Sequence, residues 1–331
     1  MEKRIAYLIL VHTDPTQAYR LCQRLLLDDK SDIYVHVDLK SGHDFSSCER
    51  LANGRITFVS ERYPVYWSGF SMILATLALM RAAVRAKPTY HHLVLLSGLD
   101  YPLRHPTDIR GYFRNSVVRQ HINRINALDS QDYYIHQVTR FHFRDGWIPF
   151  RITEKWDGFI TLDKAIRKVA TLLVRPIRRA LPVGLVPCEG SQWWALTEEC
   201  AKCLLDSVDQ RPELSRLYRY AMVPDEHFFH TLVQNSPFAS EAAPISPYSG
   251  KGMWKKANFH VINPFLQKIC TLNDFEEVMA SGKLFVRKVM TSESTPLMDN
   301  IDRSIAVDSS CTLHLRGIEN VAHRANHSNA S

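Results

Sequence analysis

The sequence lacks the apolar run that a membrane span requires. No stretch of its 331 residues approaches the roughly 18 to 20 uninterrupted apolar residues that cross a bilayer as a helix. Glycine is also scarce, with 13 residues, and the glycine-rich patterns GxGxxG and GxxxxGKS/T are absent. These absences argue against a membrane-spanning protein, a dinucleotide-binding domain and a P-loop nucleotidase.

Cysteine is sparse and scattered. The seven cysteines are odd in number, which fits free thiols in a reducing compartment better than a disulfide framework. Cys200 and Cys203 form the one CxxC pair, and without a second pair we interpret them as two half-buried thiols rather than half of a zinc site. The N-terminus runs into patterned sequence without a cleavable leader. We therefore expect the chain to reside on the cytoplasmic side of the membrane.

The net charge is positive. A formal charge of +7 and a pI near 9.0 suit an anionic partner, which could be nucleic acid, an acidic membrane surface or a phosphorylated small molecule. No nucleic-acid-binding motif is present, so we expect no nucleic-acid partner. Residues 164–179 carry six Lys or Arg among apolar residues and no acid. This segment is either a basic amphipathic helix at an anionic membrane or a solvated helix face, and Pro176 interrupts its pattern.

The first hundred residues alternate between strand and helix patterns. Apolar, β-rich runs at 5–12, 33–37, 56–60 and 92–97 predict buried strands, and helical spacing follows Asp14-Pro15 and covers about 69–86. This alternation predicts an α/β fold with a mostly parallel central sheet flanked by helices. In such sheets ligands bind beyond the carboxyl ends of the strands. His12, Asp38 and Asp100 fall there, although each could simply cap a helix or a turn.

Two acidic residues begin a helix in the second half of the chain. Pro224 suits the first turn of that helix, and Asp225 and Glu226 complement its dipole. Glu226 is a candidate general base, and the alternative is that both acids serve only to stabilise the start of the helix. His227 and His230 follow at a spacing of three, and without a third ligand we do not expect a zinc site.

Four cationic residues in the second half of the chain are candidate contacts for phosphate groups. Arg287 and Lys288, near the end of a β-rich run, and Lys255 and Lys256 could stabilise phosphate groups, although each taken singly could be an ordinary surface cation. The sequence contains no Asp-x-Asp triplet of the kind that holds a divalent metal.

Seven segments of the chain form a specific set when they are taken in order. They are 6–12, 33–40, 66–71, 95–102, 190–194, 224–229 and 284–288. This set resembles glycosyltransferase family 14, the core-2/I-branching β-1,6-N-acetylglucosaminyltransferases and peptide O-xylosyltransferases, in a bacterial-type form.

The resemblance implies a GT-A-type fold, inverting chemistry and a UDP-sugar donor, with no metal and no other cofactor. By motif position Asp38 would contact the uracil and ribose end, with His12 nearby, and Glu226 would be the catalytic base. Lys288 would bind the diphosphate. The arginine partner of that lysine is not matched, which leaves Arg287 or Lys255 as candidates.

Aromatic residues are the candidate contacts for sugars. Trp193 and Trp194 would lie on opposite faces of a strand, one in the core and the other free to stack on a sugar ring. Trp67, Trp254 and Asp225 are the further candidates for contact with the acceptor or the transferred sugar.

The predicted activity is transfer of N-acetylglucosamine from its UDP donor to a saccharide or glycoconjugate acceptor. UDP-xylose is the alternative donor, and an inactive lectin-like or nucleic-acid-binding protein is the alternative of another class. We expect one domain over 1–290, with a nucleotide-binding half at about 1–115 and an acceptor and catalytic half at about 116–290. A poorly ordered tail is expected over 291–331.

Overall fold

The computed structural model of the protein describes residues 3–51, 54–153, 157–252, 257–263 and 268–306. Within these residues no helix is both long and apolar enough to cross a membrane.

Short 3-10 helices lie at Ala127–Asp129, Pro224–Glu226, Pro237–Glu241 and Leu272–Asp274. The strands are β1 (Arg4–Val11), β2 (Ser31–Val37), β3 (Ile56–Phe58), β4 (Tyr90–Ser97), β5 (Asp100–Pro102), β6 (Ile125–Asn126), β7 (Cys188–Glu189), β8 (Ala195–Thr197), β9 (His260–Ile262) and β10 (Phe285–Arg287). The α-helices are α1 (Pro15–Leu25), α2 (Ser46–Glu49), α3 (Ser71–Arg85), α4 (Pro106–Asn115), α5 (Tyr133–Thr139), α6 (Phe150–Thr153), α7 (Asp157–Leu173), α8 (Glu198–Gln210), α9 (Pro212–Tyr218), α10 (Phe228–Gln234), α11 (Phe275–Ala280) and α12 (291–306).

Strand β1 lies at the centre of the main sheet, whose strand order is β3-β2-β1-β4-β8. It pairs in parallel with β2 and β4, and β2 pairs in parallel with β3, whereas the edge strand β8 is antiparallel to β4. Every residue of β2, and of β1 after Arg4, is buried, as expected for a parallel sheet covered on both faces. The predicted α/β class with a mostly parallel sheet is confirmed.

Alternate residues of β1 enter two different hydrophobic cores, because successive side chains of a strand point to opposite faces. Ala6 and Leu8 pack in a core with α3, α8 and α10. Ile5 and Tyr7 pack in the other core with α1 and α4. The helices therefore cover both faces of the sheet and leave the carboxyl ends of its strands for a site.

A smaller sheet of short strands lies beyond the main one. Its order is β5-β10-β9, with β10 antiparallel to β5 and parallel to β9. Register pairs Arg287 with Asp100 on one side and with Ile262 on the other. Three parts of the chain that are far apart in sequence thus meet at the end of β10.

The segment 291–306 corrects a prediction. It was expected to belong to a poorly ordered tail, but it forms helix α12, whose apolar side chains are buried against β10 and α11. Leu297, Met298, Ile301 and Ile305 are the buried residues, at a spacing that places them on one helical face. The rest of the predicted tail, 307–331, lies outside the described residues.

Two local predictions in the second half also need correction. The strand expected to contain Trp193 and Trp194 is only β8, so both tryptophans precede the strand instead of alternating within it. Glu226 ends a 3-10 helix, and α10 begins two residues later. The division between two halves expected at about residue 115 stays a prediction. Strand β8, which belongs to the second half, joins the sheet built by the first half.

Candidate active site

A cavity of about 410 Å³ opens at the carboxyl ends of β1 and β2. Its volume lies within the range of about 300–1,000 Å³ that is usual for small-molecule sites. The end of β10, the 3-10 helix at Pro224–Glu226 and the segment before β8 complete its wall. Its polar lining consists of His12, His36, Asp38, Lys40, Ser68, Ser191, Gln192, Asp225, Glu226, Arg287 and Lys288.

Asp38 follows β2 directly, and its carboxylate holds two neighbouring segments in place. Its Oδ1 accepts from the backbone N–H groups of Lys40 (2.9 Å) and Val65 (3.1 Å), and its Oδ2 accepts from Lys40 Nζ at 3.0 Å. The ammonium of Lys40 also donates to the carbonyl of Val65 and lies 4.7 Å from the centre of the Tyr66 ring. Asp38 therefore fixes the loop that forms one wall, while its side chain lines the cavity as predicted.

Two histidines line the same end of the cavity. His12 is exposed, and its pKa is lowered chiefly by desolvation and further by Arg287, Lys40 and Lys288, against the opposing charge of Asp38. His36 is buried, and desolvation lowers its pKa to about 4, so its Nε2 is free to accept from the backbone N–H of Tyr63 at 3.1 Å. The lowered pKa values therefore favour the neutral form of both rings.

The backbone around Glu226 is fixed by close packing. Val223 adopts a left-handed conformation (φ 42°), which is rare for a β-branched residue, just before the acids. The backbone N–H of Gly190 donates to the carbonyl of Glu226 at 2.9 Å. A Cβ at Gly190 would lie 2.2 Å from the carbonyl oxygen of Asn123 and 2.6 Å from Cδ2 of His230, so only glycine fits there. This approach holds Glu226 against the end of β7.

The carboxylate of Glu226 lies among other acids. It is half-buried, and desolvation first, then the charges of Asp225 and Glu189, raise its pKa well above the ordinary value. Desolvation raises the pKa of Asp225 to about 6. A raised pKa makes a carboxylate a stronger base, which is the property that general-base catalysis requires.

Arg287 is oriented by buried groups. Its Nη1 donates to Oδ1 of Asp100 at 2.8 Å, and its guanidinium carbon lies 4.4 Å from the centre of the Trp193 ring. The Oδ2 atom of Asp100 accepts from His260 Nε2 (3.1 Å) and from the backbone N–H of Ser97 (2.8 Å). Burial alone would raise the pKa of Asp100, but Arg287 and His260 hold it below the usual value.

This arrangement changes the role expected for Asp100. Its side chain is fully buried and does not line the cavity, because strand β5 pairs it with Arg287. The prediction that it contacts the nucleotide sugar is therefore wrong in this structure. It positions a residue that does line the cavity.

Lys288 supplies a second cation beside Arg287. Among the described residues its ammonium has no hydrogen-bond or ion-pair partner, although its carbonyl accepts from the backbone N–H of Cys270 at 2.8 Å. Desolvation and the nearby charge of Arg287 lower its pKa, and Asp100 opposes them. Two neighbouring positive charges at one end of a cavity suit an anionic ligand such as a diphosphate.

The predicted tryptophan contacts differ in position. Trp67 lines the cavity with 69% of its surface exposed, so its ring is available to a ligand. Trp193 lines the cavity but is only 5% exposed and packs beside Arg287. Trp194 is fully buried next to Phe229 and has no surface for a sugar, which corrects its assignment as a contact. Trp254, like Lys255 and Lys256, lies outside the described residues.

The two histidines after Glu226 are structural. Nδ1 of His227 lies 3.1 Å from the carbonyl of Cys188, its Nε2 lies 3.0 Å from Gln137 Oε1, and Nε2 of His230 lies 3.0 Å from the carbonyl of Ser191. Both rings are fully buried, and desolvation lowers their pKa values to about 4 and about 3. In the described part of the chain no three His, Cys, Asp or Glu side chains are placed to hold a metal ion.

Sequence reasoning missed several lining residues. Lys40, Ser68 and Gln192 face the cavity, yet none was singled out as a site residue. All three lie inside segments that carried the family resemblance, and this was the signal that could have found them. Ser68 accepts from the backbone N–H of Val223 at 2.9 Å, a contact over 155 positions that no local pattern reveals.

A family model described as Core-2/I-Branching enzyme matches residues 5–245, which is well over half of the chain. The matched range includes Asp38 and Glu226 but ends before β9 and β10.

Curated relatives match over a similar range. Xylosyltransferase 2 of Rattus norvegicus is 26% identical over 240 residues, which make up 71% of this chain and 25% of that protein. Xylosyltransferase 2 of Homo sapiens is 25% identical over 237 residues (70% and 25%), and xylosyltransferase 1 of Rattus norvegicus is 26% identical over 242 residues (71% and 26%). The chain therefore spans about a quarter of the length of these relatives.

Proposed function

The chain belongs to the Core-2/I-Branching enzyme family, glycosyltransferase family 14, and from this premise we propose that it transfers a sugar from a UDP-sugar to a saccharide or glycoconjugate acceptor. Its α/β fold with a mostly parallel central sheet is of the GT-A type that this family has. The observation that carries the proposal is the meeting of Glu226, Asp38, Arg287 and Lys288 in one cavity.

In the proposed reaction Glu226 acts as the base. An acceptor hydroxyl attacks the anomeric carbon of the donor, and its proton passes to the carboxylate of Glu226 as the new glycosidic bond forms. The bond from the anomeric carbon to the phosphate oxygen breaks on the opposite side, and its electron pair leaves with UDP. Attack opposite to departure inverts the anomeric configuration. The raised pKa of Glu226 supports this role.

Arg287 and Lys288 are proposed to receive the departing diphosphate. Preorganised positive groups are worth most where charge develops in the transition state, since they need no rearrangement as the bond breaks. Asp100 holds the guanidinium of Arg287 in one orientation, and the ammonium of Lys288 lines the same cavity. Asp38, which lines the same cavity, is proposed to contact the nucleoside.

The central test is the substitution Glu226→Gln. The variant keeps the shape of the side chain but cannot accept the proton, so transfer should slow by roughly 10²–10⁴-fold while UDP affinity is retained. Glu277→Gln, at an exposed position of α11, is the matched control and should leave the rate unchanged. An unchanged rate in Glu226→Gln would point instead to an inactive, lectin-like member of the family.

We propose that the reaction needs no divalent metal. The absence of an Asp-x-Asp triplet from the sequence and the two adjacent cations in the cavity support this proposal. Activity should then persist in EDTA. Complete loss on chelation, restored by manganese, would contradict it.

The donor we propose is UDP-N-acetylglucosamine, because the sequence segments resemble those of β-1,6-N-acetylglucosaminyltransferases. UDP-xylose is the second candidate, because the relatives described above are named xylosyltransferases. A panel of UDP-sugars compared by thermal shift and by product mass distinguishes the two, since one donor should stabilise the protein and be consumed preferentially.

We also propose that the protein acts on the cytoplasmic side of a membrane. The cysteines that the structure describes are free thiols, most of them buried, which suits a reducing compartment.

A further inference from the structure

Helix α7 carries an apolar stripe that faces solvent. Leu162, Ile166, Val169 and Leu173 recur at steps of three and four residues, which places them on one face of a helix. Their side chains are 49%, 43%, 55% and 74% exposed, and Leu172 on the same face is 58% exposed. A surface helix usually turns its apolar stripe towards the core. Helix α7 instead turns its apolar stripe towards solvent.

Polar side chains fix that orientation from the opposite face. Asp163 is buried, and its Oδ1 accepts from the backbone N–H groups of Trp147 (2.8 Å) and Ile148 (2.9 Å). Arg167 donates to Asp163 at 2.7 Å and to the carbonyls of Phe143 and Arg144. Rotating the helix to bury the apolar stripe would break these bonds and leave a charged pair without its partners, which is costly.

A row of cations borders the stripe. Lys164 and Lys168 are exposed and, at about 100° per residue, lie on the flank of α7 beyond Leu172, and the exposed Arg175 follows in the turn after the helix ends. The sequence from 164 to 179 contains no acidic residue. These three cations therefore have no acidic residue between them in the sequence.

We propose that this face of α7 docks on an anionic lipid bilayer. The apolar stripe would enter the boundary between head groups and acyl chains, while Lys164, Lys168 and Arg175 pair with lipid phosphates. Charge complementarity selects this occupant, because a second copy of the chain would bring a like-charged row against these cations. These residues lie outside the cavity lining, and their docking on lipid does not depend on the proposed reaction.

The loop of residues 143–148, which holds α7 in place, also contacts the cavity wall. Arg144, whose carbonyl accepts from Arg167, holds its guanidinium carbon 5.9 Å from the centre of the exposed Trp67 ring. Docking of α7 would therefore bring the lipid surface close to the part of the chain that shapes the cavity wall at Trp67.

Vesicle flotation of the full chain tests the proposal. The protein should float with vesicles of phosphatidylcholine mixed with phosphatidylglycerol and stay behind with phosphatidylcholine alone, and high salt should weaken its binding. Neutralising each of Lys164, Lys168 and Arg175 to Gln should lower the partition coefficient roughly fivefold per position, which corresponds to about 1 kcal/mol for a cation near an anionic surface.

A matched pair of double variants separates the stripe from general charge effects. Val169→Glu with Leu173→Glu should abolish flotation, because two carboxylates would enter the lipid boundary. Leu27→Glu with Val117→Glu changes the net charge equally at exposed apolar positions elsewhere (53% and 98% exposed) and should leave flotation unchanged. UDP-induced thermal stabilisation of every variant checks that the fold and the cavity are intact.

Three outcomes would overturn the proposal. The first is equal binding to neutral and anionic vesicles, and the second is equal loss of flotation in both double variants. The third is no binding to any vesicle together with a concentration-dependent dimer that Val169→Glu with Leu173→Glu dissociates, which would assign the stripe to a second copy of the chain.

Discussion

Glu226 shares its surroundings with Asp225 and Glu189, and this sets the pH range in which it can act as a base. Desolvation and these two charges raise its pKa, so its proton-accepting form is lost as pH falls through a value well above the ordinary value of about 4.3 for a glutamate. The acid limb of kcat/KM should therefore lie well above that range. A limb near pH 4 would contradict the environment described.

Removing a neighbouring charge should move that limb. Glu189→Gln takes away one of the charges that raise the pKa of Glu226, so the limb should shift to lower pH. Asp44→Asn, at an exposed carboxylate outside the cavity lining, is the control and should leave the profile unchanged. Thermal unfolding of both variants shows whether the fold survives the substitution.

Arg287 should account for much of the affinity for UDP. Arg287→Ala should raise the Kd for UDP roughly 10- to 100-fold, since hydrogen bonds to charged groups contribute about 1.5–3 kcal/mol. Asp100→Asn keeps an acceptor but removes the charge that orients Arg287, so its effect should be smaller and of the same sign. Calorimetric titration measures both. Arg81→Ala, which breaks a surface pair with Asp209, should leave UDP affinity unchanged.

The sequence was informative about residues whose roles follow from the ends of strands or from a motif. Asp38 follows a strand, Glu226 lies in a recognisable segment, and both line the cavity. It could not separate a buried polar residue from one that faces a ligand. Asp100 also follows a strand in sequence, but long-range pairing with β10 buries it, and Trp194 is buried in the same way by α10.

At the scale of elements, a backbone hydrogen bond from Gly190, just after β7, holds Glu226, the proposed base. Gly190→Ala would force its Cβ into the carbonyl of Asn123, which is backbone and cannot easily move. We expect a loss of about 1–3 kcal/mol in the free energy of unfolding and a larger loss of kcat/KM, because the Gly190–Glu226 hydrogen bond would be displaced. Urea unfolding and steady-state kinetics measure the two effects.

Gly111→Ala is the control for that substitution. Gly111 lies in α4, and a methyl group added there would meet nothing within 4 Å, so alanine should stabilise the protein by roughly 0.5–1 kcal/mol. Equal behaviour of the two variants would show that the close approach at Gly190 does not matter.

Periodicity predicted the long elements, and among the three-residue strands it indicated β3 and the run that contains β10 but not β5 and β9. β1, β2, β4 and α3 have enough residues for an apolar pattern, and the structure has them within a few positions of the predicted bounds. β5, β9 and β10 have three residues each, and pairing with one another stabilises them. β5 pairs with β10, which lies more than 150 residues later in the chain. No local pattern encodes such pairing, although it is what brings Arg287 to the cavity.

For the whole molecule, α12 connects the two ends of the described chain. The backbone N–H of Thr291 donates to Asp14 Oδ2 at 2.7 Å, and Asp302 accepts from Arg20 at 2.7 Å and from the hydroxyl of Tyr101 at 2.8 Å. Composition, with few aromatics and many small polar residues, favoured a disordered tail over 291–331. The burial of Ile301 and its neighbours depends on β10 and α11, which composition does not reveal.

This packing predicts that α12 supports the cavity from behind β10. Ile301 is fully buried in the cluster that contains Val286 and Val289, the residues on either side of Arg287 and Lys288. Ile301→Ala should lower the free energy of unfolding by about 2–5 kcal/mol and also weaken UDP binding, because the cavity left behind loosens the strand that carries both cations.

Urea unfolding and UDP titration of Ile301→Ala are compared with those of Glu293→Ala, an exposed position of the same helix. The control should change neither quantity by more than the roughly 0.5 kcal/mol expected of a surface substitution. If Ile301→Ala loses stability but binds UDP as tightly as the unsubstituted chain, α12 stabilises the fold without holding the cations in place. The strand that bears Arg287 would then be positioned by β5 and β9 alone.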